Sequence, residues 1–184
     1  MEGLMKRAAF LDRDGTINIE KDYLYRVEDF EFIPGAPEAI RLLNLAGMLV
    51  VVVTNQSGVA RGYYTEDDVT TLHRHIDGEL ERFGAHIDLW LFCPHHPDGH
   101  GDYAIPCSCR KPLPGMLQEA AGRYDIDLGN SVMIGDKTAD VEAGVAAGVR
   151  TILVRTGYGS DVAQGIGPQT TICDDLLAAV KYLL

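Results

Sequence analysis

The chain predicts an α/β fold, a three-layer, Rossmann-like parallel sheet with helices on both faces. Three observations predict it. Apolar runs alternate with helical patterns along most of the sequence. The runs are mostly continuous rather than alternating with polar residues, as strands buried on both faces require. Polar residues collect at the ends of those runs, where open parallel sheets bind their ligands.

The elements follow in order. "AAFLD" (8–12) reads as a first strand and "MLVVVVTN" (48–55) as a stronger second. "IDLWLFC", "SVMIGD" and "VRTILVRT" supply three more. Between them, "PGAPEAIRLLNLAG" has a proline start, a 3.6-residue apolar spacing and a glycine stop. "TEDDVTTLHRHIDGELERFG" opens with a threonine cap and acids in its first turn, then stops at glycine. "PGMLQEAAGRYD" and "KTADVEAGVAAG" are shorter helices, and "DDLLAAVKYLL" is the last. The β-α-β-α order implies right-handed crossovers and a parallel sheet. Two segments stay irregular, 13–33 and 94–112, and the second is too long to be an idle loop. His73 and His75 fall in the second helix as packed or exposed residues rather than catalytic ones. Trp90 and Cys173 read as core.

The length of 184 residues fits one domain, 1–184. The net charge of −11 disfavours duplex nucleic acid and anionic membranes as partners. The longest apolar run, "MLVVVVT", is too short to span a bilayer, and the first apolar run is too short for a secretory leader. The expectation is a soluble, cytoplasmic monomer.

Four stretches carry chemistry. In "FLDRDGTIN", Asp12 closes the first strand and Asp14 follows in a turn that Gly15 permits and the Thr16 hydroxyl can tie. Asp12 can bind Mg²⁺ through one oxygen and attack phosphorus with the other. Asp14 can protonate a leaving oxygen, and a neighbouring anion, which raises a carboxyl pKa, suits it to that task. In "VVVTNQSG", Thr54 and the amides after it can hold phosphoryl oxygens. "CRKPLPGM" places Arg110 and Lys111 before a helix, a fork and a point charge for phosphate. In "MIGDKTAD", Asp136 can complete the metal site with Asp12, Asp140 can sit behind it, and Lys137 can touch a substrate anion. Taken singly, these are also an Asx turn, a polar loop, a solvated basic pair and a helix cap. Together, at one sheet edge in this order, they describe phosphoryl transfer, in which a cation must offset the repulsion between an anionic nucleophile and an anionic phosphate.

"DRDGT", "VVTNQSG", "CRKP" and "GDKTAD" resemble the four motifs of the haloacid dehalogenase superfamily of phosphohydrolases. The match spans about residues 8–159. "CPHHP", "CRKPLPGML" and "VRTGYG" narrow the resemblance to the branch acting on heptose bisphosphates and histidinol phosphate. The resemblance implies a fold of that type with a minimal cap and an aspartyl-phosphate mechanism. Asp12 becomes the nucleophile, and Asp14 the acid and then the base. Mg²⁺ would be held by Asp12, Asp136 and the backbone carbonyl of Asp14. Thr54 and Lys111 steady the phosphoryl group. Asn55, Gln56, Ser57, Arg110 and Lys137 recognise the rest of a small phosphorylated sugar. In this family the segment after the nucleophile is a flap, so Glu20, Lys21, Asp22 and Tyr23 meet the sugar.

Cysteines cluster at 93–109. "CPHHPDGHGDYAIPCSC" offers Cys93, His95, His96, His100, Cys107 and Cys109. Three thiolates and an imidazole make a closed structural Zn²⁺ site. The spacing leaves His95 and His96 in competition. The resemblance places the ligands at Cys93, His95, Cys107 and Cys109. A metal-bound module without turnover is the rival from another functional class, and the intact Asp12, Asp14, Lys111 and Asp136 oppose it.

Overall fold

A computed structural model describes residues 5–184. Part of the stretch on which the absence of a leader was read, residues 1–4, lies outside the described residues. One six-stranded parallel sheet organises the chain: β1 (Ala8–Leu11), β2 (Leu49–Asn55), β3 (Leu89–Cys93), β4 (Val132–Gly135), β5 (Arg150–Val154) and β6 (Thr171–Cys173), in the order β3-β2-β1-β4-β5-β6. Five of these strands coincide with predicted ones. β6 is a sixth, too short and too polar at its borders to show a pattern in the sequence. Cys173 lies in it at the sheet edge, half-buried rather than enclosed.

Each central strand feeds two cores. Ala9 and Leu11 of β1 and Val50 and Val52 of β2 face one layer, made by α1 (Ala36–Leu45), α3 (Glu66–Glu81) and α7 (Leu176–Leu183). Ala8, Phe10, Val51 and Val53 face the other, where α4 (Gly115–Tyr124) and α5 (Thr138–Ala146) pack. This two-sided burial is why the runs are continuously apolar. Two one-turn helices, α2 (Ser57–Ala60) and α6 (Gly159–Val162), complete the set.

The helices start and stop for local reasons. α1 begins after Gly35, whose left-handed φ of 83° glycine tolerates, and takes Pro37 in its first turn. Its inward face is Ala36, Ala39, Ile40 and Leu43. α3 opens with a reciprocal capping box: Asp68 N–H donates to Thr65 Oγ1, and Thr65 N–H donates to Asp68 Oδ2. Val69, Leu72, Ile76 and Leu80 then form its buried stripe.

β1 pairs with β2 on one side and β4 on the other. The chain therefore winds outward in opposite directions from the β1–β4 pair, and the loops leaving these two strands diverge. That opens a crevice at their carboxyl ends. Asp12 and Asp136 are the first residues past those ends.

Truncating Leu43→Ala, fully buried in α1, should lower unfolding free energy by roughly 2–5 kcal/mol. Leu45→Ala on the same helix, at an exposed position, should change it by no more than about 0.5 kcal/mol. Urea denaturation of both variants checks the pair.

Candidate active site

The crevice holds three buried carboxylates and one buried ammonium. Asp12 follows β1, Asp136 follows β4, and Asp140 lies in the first turn of α5. Carboxylate oxygens of all three approach within 4.8 Å of one another. Lys111 Nζ sits against them, 2.9 Å from Asp12 Oδ1 and 2.6 Å from Asp140 Oδ1. Burial opposes the Lys111 charge, but the carboxylates of Asp12 and Asp140 override it and raise its pKa. Both donors to Asp12 among the described residues, Lys111 Nζ and Arg13 N–H, reach Oδ1.

Asp136 is held differently. Its Oδ2 accepts from Tyr158 N–H at 2.9 Å. Its Oδ1 is buried without a partner among the described residues. A Cβ on Gly15 (φ 83°) would lie 2.3 Å from Asp136 Oδ2, and one on Gly157 would lie 2.1 Å from it. Only glycines admit this side chain. Burial, then the charges of Asp12 and Asp140, push Asp136 up to about 8. Three carboxylates against one ammonium, with one carboxylate oxygen orphaned, suit a hard divalent cation with oxygen ligands. Mg²⁺ fits that donor set.

Lys111 arrives on a loop that is fixed twice. Asn55, at the end of β2, accepts from Lys111 N–H through Oδ1 at 3.0 Å and donates through Nδ2 to Lys111 O at 2.9 Å. Further back, Cys93, His95, Cys107 and Cys109 bring their ligand atoms together. Cys93 Sγ lies 3.6 Å from Cys107 Sγ and 3.0 Å from Cys109 Sγ, and His95 Nδ1 is 3.4 Å from Cys109 Sγ. Sulfurs sharing a tetrahedral zinc at bond lengths of about 2.3 Å stand about 3.8 Å apart, so this cluster is compatible with zinc. Burial pushes the Cys93 thiol up, so its thiolate needs a cation beside it. His96 is engaged elsewhere: Asp98 N–H donates to its Nδ1, and its Nε2 lies 3.4 Å from the Arg61 guanidinium.

Asp14 departs from expectation. Burial pushes its pKa up, but the Arg13 guanidinium and the Asn18 and Gln56 amides outweigh that and lower it. The neighbouring anion invoked for Asp14 does not set its charge, because Arg13 grips both its oxygens at 3.0 Å. The Thr16 hydroxyl does not tie the turn either, having no partner among the described residues. That work falls to Thr156, whose hydroxyl donates to Gly15 O at 2.6 Å.

A cavity of about 200 Å³ opens beside Asp14, lined by Glu20, Asp22, Tyr23, Asn55, Gln56, Ser57, Tyr64, Lys137 and Tyr158. A narrower one of about 30 Å³ reaches Asp12, Thr54, Lys111 and Asp140. Most of the residues picked from sequence therefore meet here. Lys21 does not, since its Nζ donates to Asp29 O at 2.7 Å on the outside of the flap. Arg110 lines neither cavity and donates to His95 O at 3.3 Å. Gln56 is buried and fully engaged, donating to Thr54 Oγ1 and Asp14 Oδ2 and accepting from Tyr64. Lys137 Nζ pairs with Glu20 at 3.3 Å, and Tyr158 O–H donates to Asp22 Oδ1 at 3.1 Å. Sequence reasoning missed Arg13, Tyr64 and Tyr158 as members of the site. Arg13 was in plain view between two motif aspartates.

Comparisons with known proteins agree with this geometry. The HAD-hydrolase-like family model matches residues 108–179. D-glycero-beta-D-manno-heptose-1,7-bisphosphate 7-phosphatase of Pasteurella multocida is 47% identical over 154 residues, 83% of this chain and 84% of that protein. The protein of the same name from Haemophilus ducreyi is 43% identical over 97% of this chain and 98% of its own. A crystal structure of D,D-heptose 1,7-bisphosphate phosphatase from B. bronchiseptica, complexed with magnesium and phosphate, superposes with a TM-score of 0.87. It is 38% identical, and the match covers 96% of this chain and 97% of that one.

Two measurements follow from the metal-compatible clusters. A divalent ion must displace the proton that Asp136 holds up to about pH 8. The Mg²⁺ concentration giving half the thermal stabilisation should therefore rise roughly tenfold per pH unit below that value. Titrations at pH 6, 7 and 8.5 check it. Chelation should remove about one zinc per chain and lower Tm by about 4 °C or more, read by metal analysis and calorimetry.

Proposed function

The chain belongs to the HAD-like hydrolases, and on that premise we propose that it removes the 7-phosphate of D-glycero-D-manno-heptose 1,7-bisphosphate through an aspartyl phosphate on Asp12. The observation that carries this reading is Lys111 Nζ at 2.9 Å from Asp12 Oδ1, beside the orphaned Oδ1 of Asp136. That arrangement has the charge for a phosphoryl group and a cation, and relatives similar over nearly their whole length carry the heptose bisphosphatase name. The product would serve the route to the nucleotide-activated heptose of cell-surface polysaccharide. We read the enzyme as a cytoplasmic monomer. Among the described residues, no helix is long and apolar enough to cross a membrane.

The steps assign the side chains. An Asp12 carboxylate oxygen attacks phosphorus, the bond from phosphorus to the sugar oxygen breaks, and Asp14 gives that oxygen its proton. Asp14 sits as a carboxylate before substrate binds; a phosphate dianion arriving beside it raises its proton affinity, so it takes a proton from solvent as substrate binds and returns one to solvent after hydrolysis. Water then attacks the phosphorus, Asp14 takes its proton, and the Asp12–phosphorus bond breaks to release inorganic phosphate. Lys111 and Thr54 face the oxygens on which charge collects. Mg²⁺, held by Asp12, Asp136 and the Asp14 carbonyl, would supply charge neutralisation at the phosphoryl oxygens. Glu20, Asp22, Ser57 and Lys137 meet the sugar and its second phosphate from the larger cavity.

Asp12→Asn should lower turnover at least a thousandfold, since it removes the nucleophile, while leaving Tm within a few degrees. Phosphate release from heptose bisphosphate, histidinol phosphate and an aryl phosphate tests the reading. Preference for histidinol phosphate would move the assignment to that substrate. No release from any of them would favour a non-catalytic, metal-bound module.

A further inference from the structure

Arg13 is a charged side chain with no exposure at all. Its guanidinium donates to both oxygens of Asp14, to Leu24 O at 2.9 Å and to Gln56 Oε1 at 3.4 Å. All of these use Nε or one terminal nitrogen. The other terminal nitrogen, NH1, meets His73 Nε2 at 3.3 Å. His73 comes from α3, sixty positions away in sequence, and is itself buried.

His73 stands on a rigid support. Its ring stacks on Trp90 of β3 with centroids 4.1 Å apart and planes 17° apart. Trp90 Nε1–H in turn donates to Asp77 Oδ1 at 2.9 Å, one turn further along α3. An arginine donates and never accepts, so His73 must present an unprotonated Nε2 to it and carry its proton on Nδ1. Burial, then the Arg13 charge, drive the His73 pKa down to about 3, which keeps the ring neutral. Without this acceptor, NH1 would be a buried donor with nothing to bond. The guanidinium would turn to find a partner, and Asp14 would turn with it.

We propose that His73 is a positioning residue for the phosphatase reaction: it fixes the rotation of Arg13, and through Arg13 aims the Asp14 carboxyl at the leaving oxygen. This rests on the reading of Asp14 as the proton donor given above. The consequence is specific to the leaving group. A sugar alkoxide needs the Asp14 proton to depart, and a nitrophenolate does not.

The test compares His73→Leu, which lacks an acceptor, with His73→Gln, which retains one. On an alkyl phosphate that the wild type turns over, His73→Leu should lower kcat about tenfold, a fraction of the full acid–base contribution, with KM changed less than twofold. Its single-turnover release of nitrophenol from p-nitrophenyl phosphate should stay within about twofold of wild type. His73→Gln should recover most of the lost kcat. Equal losses on both substrates, a rise in KM alone, an unchanged kcat, or a Gln variant no better than Leu would overturn the proposal. If His73→Leu does not fold, His73→Asn, polar but too short to reach Arg13, takes its place under the same criteria. A wild type that releases nitrophenol but turns over no alkyl phosphate would refute the reading of Asp14 itself, a failure distinct from that of His73.

Discussion

Everything at this sheet edge answers to one constraint: buried carboxylates must be offset by cations or stay protonated. Asp12, Asp136 and Asp140 converge within 4.8 Å, far inside the range where like charges in a poorly solvated site repel strongly. Lys111 offsets part of that repulsion. The remainder shows in Asp136, whose proton affinity rises to about 8 and whose Oδ1 lacks a partner among the described residues. The carboxylates therefore carry more negative charge than Lys111 offsets, a balance that a divalent ion would complete. Incompleteness of this kind is an asset for phosphoryl transfer, because the same cation that relieves the aspartates draws in the phosphate.

Offsetting charge requires that the lysine be in place before the substrate is. Lys111 belongs to an irregular segment, and an unanchored lysine there would turn to water. The reciprocal Asn55 clamp and the cysteine–histidine cluster upstream explain why it does not. The clamp joins the end of β2 to the Lys111 backbone, and the cluster braces the loop that leads to it. Arg110, which donates to the His95 carbonyl, extends that brace instead of reaching into the cavity. A metal held there would act on catalysis through position alone, with no ligand near the phosphorus.

The strands and the residues at their ends were legible because both obey short-range rules. A strand buried on two faces must be continuously apolar, and β1, β2 and β4 are. Residues at the carboxyl ends of strands flanking a topological switch must converge, and Asp12, Thr54 and Asp136 do. β6 escaped because three half-buried residues carry no period. Lys21 and Arg110 were drawn to the site by their charge, while their side-chain directions depend on Asp29 and on the zinc-compatible loop, which sequence adjacency does not encode. Tyr64, Tyr158 and His73 were illegible as site residues for another reason. His73 and Tyr158 reach the site through contacts sixty or more residues apart, Tyr64 reaches it from outside the quoted motifs, and the "VRTGYG" stretch that holds Tyr158 marks a resemblance rather than a role.

Asp12 and Asp14 show how far context outweighs composition. They are the same residue type two positions apart, yet different cations govern them. Asp12 faces Lys111, which holds its Oδ1 at 2.9 Å and leaves Oδ2 without a donor among the described residues. Asp14 faces Arg13, whose planar fork fixes it in orientation as well as in charge. In the proposed mechanism a point charge suits the nucleophile, which must move toward its target, and a fork suits the acid, which must be aimed. A lysine in place of Arg13 would preserve the charge balance and lose the aim. Three guanidinium contacts beyond Asp14, to the Leu24 carbonyl, to Gln56 Oε1 and to His73, then tie the direction of the Asp14 carboxyl to the irregular segment that follows β1. That segment and the Asp14 carboxyl are joined through one buried side chain, so displacement of the segment would disturb the carboxyl.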